Sequence, residues 1–429
     1  HADRWSPDGS ERIELRPVSQ KSTGRGPSRV PPALRYPNYR NYWFGMLGAV
    51  GGYQVFLFSQ LWLVHKLTAS TIYLGYVGLA NALPAIGLNL VGGVSADRLD
   101  RTRLVVITQV LAASVVGGLA IITVSELVEP WHVLVVAGLV SGINAFNEPA
   151  RLSLYPQFVP EEALMSAVAL NSSVWQGSRV VAPAVAGVII AVFDTGVALF
   201  FAAAGMAWLA IMLRGAPSVR SESVSRSPFA DALEGLRYIR RNTTMLLLIG
   251  MSFFNSFFGM AYTFMMPVFA VDILDVGSTG QGYLLSASGI GSLSATLWFT
   301  TRSTIRNRGR LIVVGAILAG LALVAFSLTA GYVGSMVLGL SLMLAVGAFT
   351  SIYILVTVTS LQTAVSEDLR GRVMGFFSMT WSMMPLGGMF VGGIAALVGT
   401  PWAVAIGGLA VTGFAVTAAL FNPALRRLT

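Results

Sequence analysis

Twelve long apolar runs, separated by short polar segments, constrain the fold of this sequence more than any other feature. A helix needs roughly 20 mostly apolar residues to cross a membrane, whereas a barrel strand needs about 10 of alternating polarity. The runs have helical length, so they predict an all-α membrane protein with twelve transmembrane helices. The predicted spans are 41–65, 72–96, 104–126, 131–150, 164–193, 196–214, 245–271, 281–301, 311–330, 333–356, 373–398 and 401–421.

Composition argues against several other classes of protein. Only 11% of the 429 residues are charged, against about 25% in soluble domains. The sequence contains no cysteine, which excludes disulfides and thiolate metal sites. The three histidines are His1 near the start and His65 and His132 at predicted loop edges, so we expect no metal site. We find no P-loop and no nucleophile–base set, so we predict no cofactor, no ATP-driven transport and no enzyme activity.

The distribution of basic residues predicts the orientation in the membrane. All but two of the 28 Lys and Arg residues fall in the two terminal segments or in alternate loops when both termini lie on one side. The exceptions are Lys66 and Arg179. Lys and Arg accumulate on the cytoplasmic side of membrane proteins. The net charge of +9 therefore reflects topology and not nucleic-acid binding, and we predict a bacterial inner-membrane protein with both termini in the cytoplasm.

The longest polar segment between spans divides the chain into halves. Residues 215–243 begin Ser-rich and continue into a stretch whose apolar residues recur at helical spacing. This pattern predicts an amphipathic helix lying on the membrane surface. We therefore predict four parts: a flexible cytoplasmic tail (1–37), a six-helix bundle (38–214), this linker, and a second six-helix bundle (244–429). The basic charge of the tail is either a topology signal alone or also a contact to anionic lipid head groups.

The two predicted bundles show weak internal repetition. Val159-Pro-Glu-Glu162 precedes the fifth span and Val365-Ser-Glu-Asp368 precedes the eleventh, with Gly187 and Gly393 at the same offset in the helices that follow. Repeated halves are an architecture of secondary transporters, with the substrate site near the membrane midplane between them. The repetition therefore predicts two pseudo-symmetric bundles around a central site.

The turn after the second span carries a recognisable motif. Gly93-x-x-x-Asp97-Arg98-x-x-Arg101-x-Arg103 resembles the loop signature of the major facilitator superfamily, although Asp100 stands where that pattern usually has Gly. The resemblance implies that Asp97 pairs with Arg101 or Arg103 and faces the start of the eleventh span, forming a cytoplasmic gate. The implied gate residues are Gly93, Asp97, Arg98, Arg101, Arg103, Arg370, Gly371 and Arg372.

Within that superfamily, several segments resemble the bacterial drug:proton antiporter group that includes enterobactin-type exporters. The most telling are Ala232–Ile239 and Leu361–Val373, and the resemblance covers nearly the whole chain from residue 38. It implies efflux from the cytoplasm. In the resembled group the first span commonly bears an acid, whereas this chain has Gly51-Gly52-Tyr53-Gln54.

Few charged groups are available for energy coupling inside the membrane. A coupling carboxylate must load and release a proton, and the candidates are Glu148 at the inner end of span 4 and Asp272 at the outer end of span 7. We hypothesise that Glu148, assisted by Arg151, carries the proton; the alternative is that the two merely pair at the membrane boundary. Arg179, deep in span 5, either contacts an anionic substrate group or a coupling acid, or braces backbone carbonyls.

The predicted substrate cavity is apolar and adaptable, because aromatic and Met side chains crowd spans 7 and 11. The same clusters also suit a lipid-facing or core role. Candidate cavity residues are Gln54, Asn81, Asn144, Asn171, Gln176, Asn255, Tyr262, Met265, Tyr353 and Trp381. Prolines that interrupt helices, and so favour bending, are Pro84, Pro183, Pro267 and Pro385.

These features together predict a monomeric secondary active transporter that exports a hydrophobic or amphipathic compound by proton-coupled alternating access. Two alternatives remain open. One is a lipid, lysolipid or siderophore translocator without proton coupling, favoured by the missing acid in span 1. The other is a membrane scaffold or sensor that transports nothing.

Overall fold

The computed structural model describes residues 31–219, 228–301 and 307–422. Every regular element within those ranges is helical. The first half contains α1 (Pro37–Thr68), α2 (Thr71–Arg98), α3 (Arg101–Val124), α4 (Pro130–Leu154), α5 (Glu161–Val192) and α6 (Thr195–Met212). A linker helix, α7 (Pro228–Arg241), follows. The second half contains α8 (Thr243–Phe254), α9 (Tyr262–Val268), α10 (Gly277–Thr300), α11 (Arg308–Val333), α12 (Met336–Ala364), α13 (Glu367–Trp381), α14 (Met384–Val398) and α15 (Thr400–Phe421).

The described helices form twelve columns of membrane-spanning length, which confirms the predicted all-α fold. Eleven of them are also apolar enough to cross a membrane by composition. The remaining column is α10, whose Gly and Ser residues lower its hydropathy. Short polar caps mark several helix starts: the Asp194 carboxylate accepts from the Val197 amide, and the Asn242 side chain accepts from the Met245 amide. Such caps satisfy backbone donors that the first helical turn leaves unpaired.

Two columns of the second half are interrupted, whereas those of the first half are continuous. The seventh column runs from α8 through a π-helical segment (Asn255–Gly259) to α9 and ends in a second π-helical segment (Phe269–Ile273). The eleventh column breaks between α13 and α14, just before Pro385. Pro84 and Pro183 lie inside the uninterrupted helices α2 and α5, and Pro267 lies inside α9. The breaks therefore coincide with one predicted proline and with two π-helical segments that the sequence did not reveal.

The two halves meet mainly through two helix pairs, α5 with α10 and α2 with α14, and α9 makes smaller contacts with α1 and α2. Both main contacts lie at the end of the molecule remote from residues 31–36 and from the linker. We call that end the opposite face, and the end that carries the linker the tail face. A Cβ added at Gly282 would lie 2.5 Å from the Pro183 carbonyl oxygen, and one added at Gly392 would lie 2.5 Å from that of Thr71. Backbone therefore packs directly on backbone at this seam.

The glycine repeat noted in the sequence is offset by one residue in the second half. Gly187 of α5 approaches the Ser278 backbone of α10, as an interface glycine should. On α14 the residue that makes the corresponding approach is Gly392, while nothing lies within 4 Å of the position a Cβ would take at Gly393. The contact that corresponds to Gly187 is therefore made by Gly392 and not by Gly393, because one residue turns a helix by about 100°.

Toward the tail face, the helices of the second half turn to partners in their own half. Helix α13 packs against α7, α8 and α12. A hydrogen bond from Asn89 of α2 to Ser382, at the α13–α14 break, is 3.3 Å long. The halves are thus closed on the opposite face, and they diverge below the level of Ser382 into a cleft that opens toward the tail face.

Candidate functional site

The cleft between the halves contains a cation that has no ionic partner among the residues that the structure describes. Arg179 lies midway along α5, directly below the glycine seam, since its backbone carbonyl faces Gly289 of α10. Its side chain is exposed. Its guanidinium carbon lies 5.7 Å from the centre of the Trp381 ring of α13, and Tyr262 of α9 lies within electrostatic reach. Arg179, a candidate coupling residue, and the predicted cavity residues Tyr262 and Trp381 therefore come together across the two halves.

A second group of predicted residues lies within the first half. Tyr53 of α1 sits beside Asn144 and Glu148 of α4, and also within electrostatic reach of Arg151. The Glu148 side chain is exposed, whereas Arg151 is buried. The two form no ion pair within 4 Å; the Arg151 guanidinium instead lies 5.1 Å from the centre of the Trp175 ring. The suggested pairing of Glu148 with Arg151 is thus absent, which leaves the Glu148 carboxylate facing the cleft.

Several other predicted cavity residues lie elsewhere. Asn81 is buried in the first half, where its amide donates to the Val77 carbonyl oxygen at 2.9 Å. Asn255, Met265 and Tyr353 are buried in the second half, with Tyr353 packed in a core between α11 and α12. Gln54, Asn171 and Gln176 are half-buried.

The turn between α2 and α3 holds the start of the linker. Asp100 caps α3 by accepting from the Arg103 amide at 3.1 Å, and it also accepts from the Ser218 hydroxyl. Thr102 donates to the Pro217 carbonyl oxygen at 2.8 Å. Burial works to raise the pKa of Asp100, but the hydrogen bonds from Ser218, Arg103 and Thr102 together bring it below its usual value. Asp100, which departs from the family pattern, therefore holds the start of the linker against the α2–α3 turn.

The other predicted gate residues are only partly brought together. The Asp97 side chain lies outside those that the structure describes. Arg372 makes an ion pair of 2.8 Å with Glu234 of the linker helix α7. Arg98, Arg103 and Arg370 are exposed. Nothing lies within 4 Å of the Cβ positions built at Gly93 and Gly371, and the Arg101 guanidinium donates to the Ser153 carbonyl oxygen at 3.4 Å.

One contact on the opposite face was not predicted from the sequence. His65 was expected at a loop edge, yet it lies inside α1, buried with only 5% of its side chain exposed. Its Nε2 atom lies 3.3 Å from the carboxylate of Asp272 in the second half. The signal in the sequence was positional: the two residues end the first span of each half. Asp272, predicted as a coupling residue, is therefore a bridge between the halves.

Comparison with known families identifies a fold of this kind. The family model described as "Transmembrane secretion effector", within the major facilitator superfamily, matches residues 30–428. The chain belongs to this family. It is accordingly a transporter and not an enzyme, and the resemblance to the major facilitator superfamily is confirmed.

Individual relatives place it among exporters. It is 25% identical over 371 residues to the multidrug efflux pump Tap of Mycolicibacterium fortuitum, a match that covers 83% of this chain and 88% of that pump. It is 25% identical over 349 residues to the enterobactin exporter EntS of Escherichia coli O1:K1 / APEC, covering 80% and 81%. The chain is thus an efflux transporter of the major facilitator superfamily, in the group that the sequence resembles.

The fold has counterparts among solved structures. A bacterial homologue of the human lysosomal transporter Spinster, in an inward-facing and occupied conformation, superposes with a TM-score of 0.71 at 14% identity. The match covers 94% of this chain and 99% of the chain of that homologue. At this identity the likeness concerns the fold alone.

Proposed function

We propose that this transporter exports hydrophobic or amphipathic compounds from the bacterial cytoplasm in exchange for protons, by alternating access, as a monomer in the inner membrane. The observation that carries the proposal is the cleft between the halves. It is sealed at the opposite face by the glycine seam, and Glu148 and Arg179 are both exposed without an ion-pair partner in the described part of the chain. A scaffold has no need to keep unpaired charges inside a membrane, where they are costly.

The proposed orientation rests on the positive-inside rule. The tail face carries Arg98, Arg103, Arg240 and Arg241, all exposed, so we assign it to the cytoplasm. The cleft then opens to the cytoplasm and receives substrate from inside the cell. The moving parts are the bundles 38–214 and 244–429, with residues 1–37 as a tail and 215–243 as a tether between the bundles.

The proposed proton carrier is Glu148. Its carboxylate faces the cleft near Tyr53 and Asn144, with Arg151 turned away onto Trp175. A carboxylate that is hydrated in one state and enclosed in the other changes its proton affinity between the states, because enclosure disfavours the charged form. Closure of the tail face would thus load the proton and opening would release it. Asp272 contributes differently, by its contact with His65 across the closed opposite face.

The test uses inverted membrane vesicles, in which the tail face points outward. We expect ethidium to accumulate when the vesicle interior is acidic and to leak out when nigericin collapses the gradient. The Glu148→Gln variant should lose this gradient-driven accumulation while it still exchanges ethidium across the vesicle membrane. Glu161→Gln, a surface change at the start of α5, is the matched control and should behave as wild type.

Gradient-driven accumulation by Glu148→Gln equal to wild type would overturn the assignment of the proton carrier. The second candidate is an uncoupled translocator of lipids, lysolipids or siderophores, favoured by the Gly51-Gly52-Tyr53-Gln54 stretch that lacks an acid. It predicts movement of a labelled lysolipid that is the same with and without the gradient. A scaffold predicts no movement of either compound.

A further inference from the structure

We propose that Arg179 forms an anion-binding subsite at the closed end of the cleft, and that the substrates best suited to it are aromatic amphiphiles bearing a carboxylate or a similar oxyanion. The proposal rests on the proposed export function and names the chemical class of substrate for that same cleft. Its starting point is a cation in the middle of a membrane span whose counter-charge is not among its neighbours.

The depth of Arg179 makes that isolation costly. It is 18 residues from the start of α5 and 13 from its end, which places it about 27 Å and about 20 Å along the helix axis from those ends. Charged side chains at such a depth usually pair with an acid or with backbone carbonyls. A mid-span arginine without such a partner is therefore an indication of a ligand site.

The immediate surroundings supply neither kind of partner. The Arg179 guanidinium makes no hydrogen bond or ion pair with any residue that the structure describes, so the backbone-brace interpretation finds no support. Its neighbours are the Trp381 ring and Tyr262, whose hydroxyl group is 3.3 Å from that of Ser288. All the guanidinium donors consequently remain available to a ligand in the cleft.

The available donors define the chemistry of the ligand. A guanidinium presents a planar fork that matches the two oxygens of a carboxylate or the oxygens of a phosphate or sulfonate. The adjacent Trp381 ring offers a flat apolar surface for an aromatic or hydrocarbon body. A ligand with an oxyanion joined to an aromatic ring by a short link can engage both at once.

Such a ligand would also promote the conformational change. Arg179 belongs to the first half and Trp381 to the second, next to the break between α13 and α14. Closing the tail face over an empty cleft would dehydrate an unpaired cation, which opposes closure. An anion bound at Arg179 offsets that cost, so an occupied cleft closes more readily than an empty one.

The proposal is tested by binding to the full-length protein in lipid nanodiscs, using isothermal titration calorimetry. The probes share one ring: 1-naphthaleneacetate and its neutral analogue 1-naphthaleneacetamide. We expect the acid to bind wild type about tenfold or more tightly than the amide, since hydrogen bonds to a charged group are among the strong ones. In the Arg179→Gln variant the acid and the amide should bind with about equal affinity, because the amide still binds and the acid loses its advantage.

Two further variants keep the test decisive. Lys66→Gln removes one positive charge at an exposed position on the opposite face and should leave the preference intact. Arg179→Lys keeps the charge but loses the fork, and should retain a reduced preference of about threefold; it carries the test should Arg179→Gln not fold. No preference in wild type, or an undiminished one in both Arg179 variants, would overturn the proposal.

Ethidium accumulation in inverted vesicles separates this failure from that of the proposed function. Gradient-driven accumulation together with no acid preference would reject the anion subsite and leave the export proposal in place. An Arg179-dependent acid preference without transport of ethidium or of either naphthalene probe would support the subsite and reject export.

Discussion

The two faces of this transporter are held together by different kinds of contact. On the opposite face the halves touch each other directly, backbone against backbone at glycines such as Gly282 and Gly392. On the tail face the described contacts join each half to the linker: Asp100 holds Ser218, and Arg372 holds Glu234. Close packing requires a fixed geometry, whereas polar contacts through the linker tolerate movement. The halves are therefore packed rigidly on the opposite face, in a contact that we call the seal, and are connected through the linker on the tail face.

The seal also carries a cost that favours its opening. The Nδ1 atom of His65 and both amide atoms of Gln281 are buried and have no hydrogen-bond partner within the part of the chain that the structure describes. Each such group costs about 1–3 kcal/mol relative to one that is paired or hydrated. Opening the opposite face would hydrate them. The favourable packing at the glycines is thus partly offset. Such an offset suits a closed face that must open again in every transport cycle.

The largest effect is expected from filling the seam. Gly392→Val places a branched side chain against the Thr71 backbone, which cannot move aside without parting the halves. We expect export of ethidium to fall about tenfold or more. The native chain has no cysteine, so a single cysteine at position 281 reports on the seal: its labelling by a membrane-impermeant maleimide should rise in the Gly392→Val background.

Gly393→Val is the matched control for this experiment. It adds the same side chain to the next residue of the same helix, where nothing lies within 4 Å of the added Cβ. Transport and labelling should remain close to wild type. Equal loss in both variants would mean that α14 tolerates no branched residue at this level, and the argument from a backbone seam would fail.

The second prediction concerns the contact between His65 and Asp272 across the seal. The two side chains lie 3.3 Å apart on different halves, and Asp272 is half-exposed. His65→Leu removes this contact and keeps a side chain at the buried position, so we expect it to weaken the seal by about 1 kcal/mol, or about fivefold. Labelling of the cysteine at position 281 should rise accordingly.

Two controls isolate the contribution of His65. Each labelling rate is divided by that of a cysteine at Leu127, which is exposed on the same face. Lys66→Gln changes the next residue of α1, which is exposed, and should leave the labelling unchanged. An equal rise in the Lys66→Gln variant would refute the assignment to the contact between His65 and Asp272.

The sequence was sufficient for those parts of the structure that depend on local pattern. Apolar runs of helical length predicted the columns, and the helical spacing of apolar residues predicted a helix in the linker, observed as α7. Contacts between distant segments were not predictable in the same way. His65 and Asp272 are 207 residues apart, and only the packing of the halves brings the ends of α1 and the seventh column together.

The candidate site was predicted in kind but not in detail. The sequence singled out Arg179 and Glu148 as charges in or near spans, and both side chains are exposed in the structure. It did not reveal that Arg151 would prefer the Trp175 ring to Glu148, because that choice depends on side-chain directions at the α4–α5 contact. Polar residues such as Asn81 and Tyr353 were assigned to the cavity by type alone, and helix rotation places them inside the bundles.

A smaller effect is expected at the anchor of the linker. Asp100→Ala removes a helix cap and should lower the free energy of unfolding by about 1 kcal/mol, and Ser218→Ala should have a smaller effect. Because the pKa of Asp100 lies below its usual value, the charged form stabilises the fold. This stabilisation is complete above the unfolded-state pKa, about 4, and is lost as the pH falls through the folded-state value.

Thermal unfolding measured by tryptophan fluorescence checks this sign. Asp100→Asn keeps a capping side chain and removes only the charge, so its Tm should lie below that of wild type by a constant amount between pH 5 and 8. The difference should shrink below about pH 4. A difference that grows with acidity would mean that the charged carboxylate destabilises the turn.

The smallest effect is expected from the contact between α7 and α13, and it separates the two faces most clearly. Glu234 is 56% exposed, so Glu234→Gln should change ethidium export only about twofold. The exchanged pair, Glu234→Arg with Arg372→Glu, should recover part of that loss.

In about 1 M salt exposed ionic contacts are screened, and the difference in ethidium export between Glu234→Gln and wild type should vanish. The defect of Gly392→Val should persist at the same salt concentration, because overpacking against backbone has no ionic component. If salt relieved both defects equally, the tail face and the opposite face would not differ in the nature of their contacts.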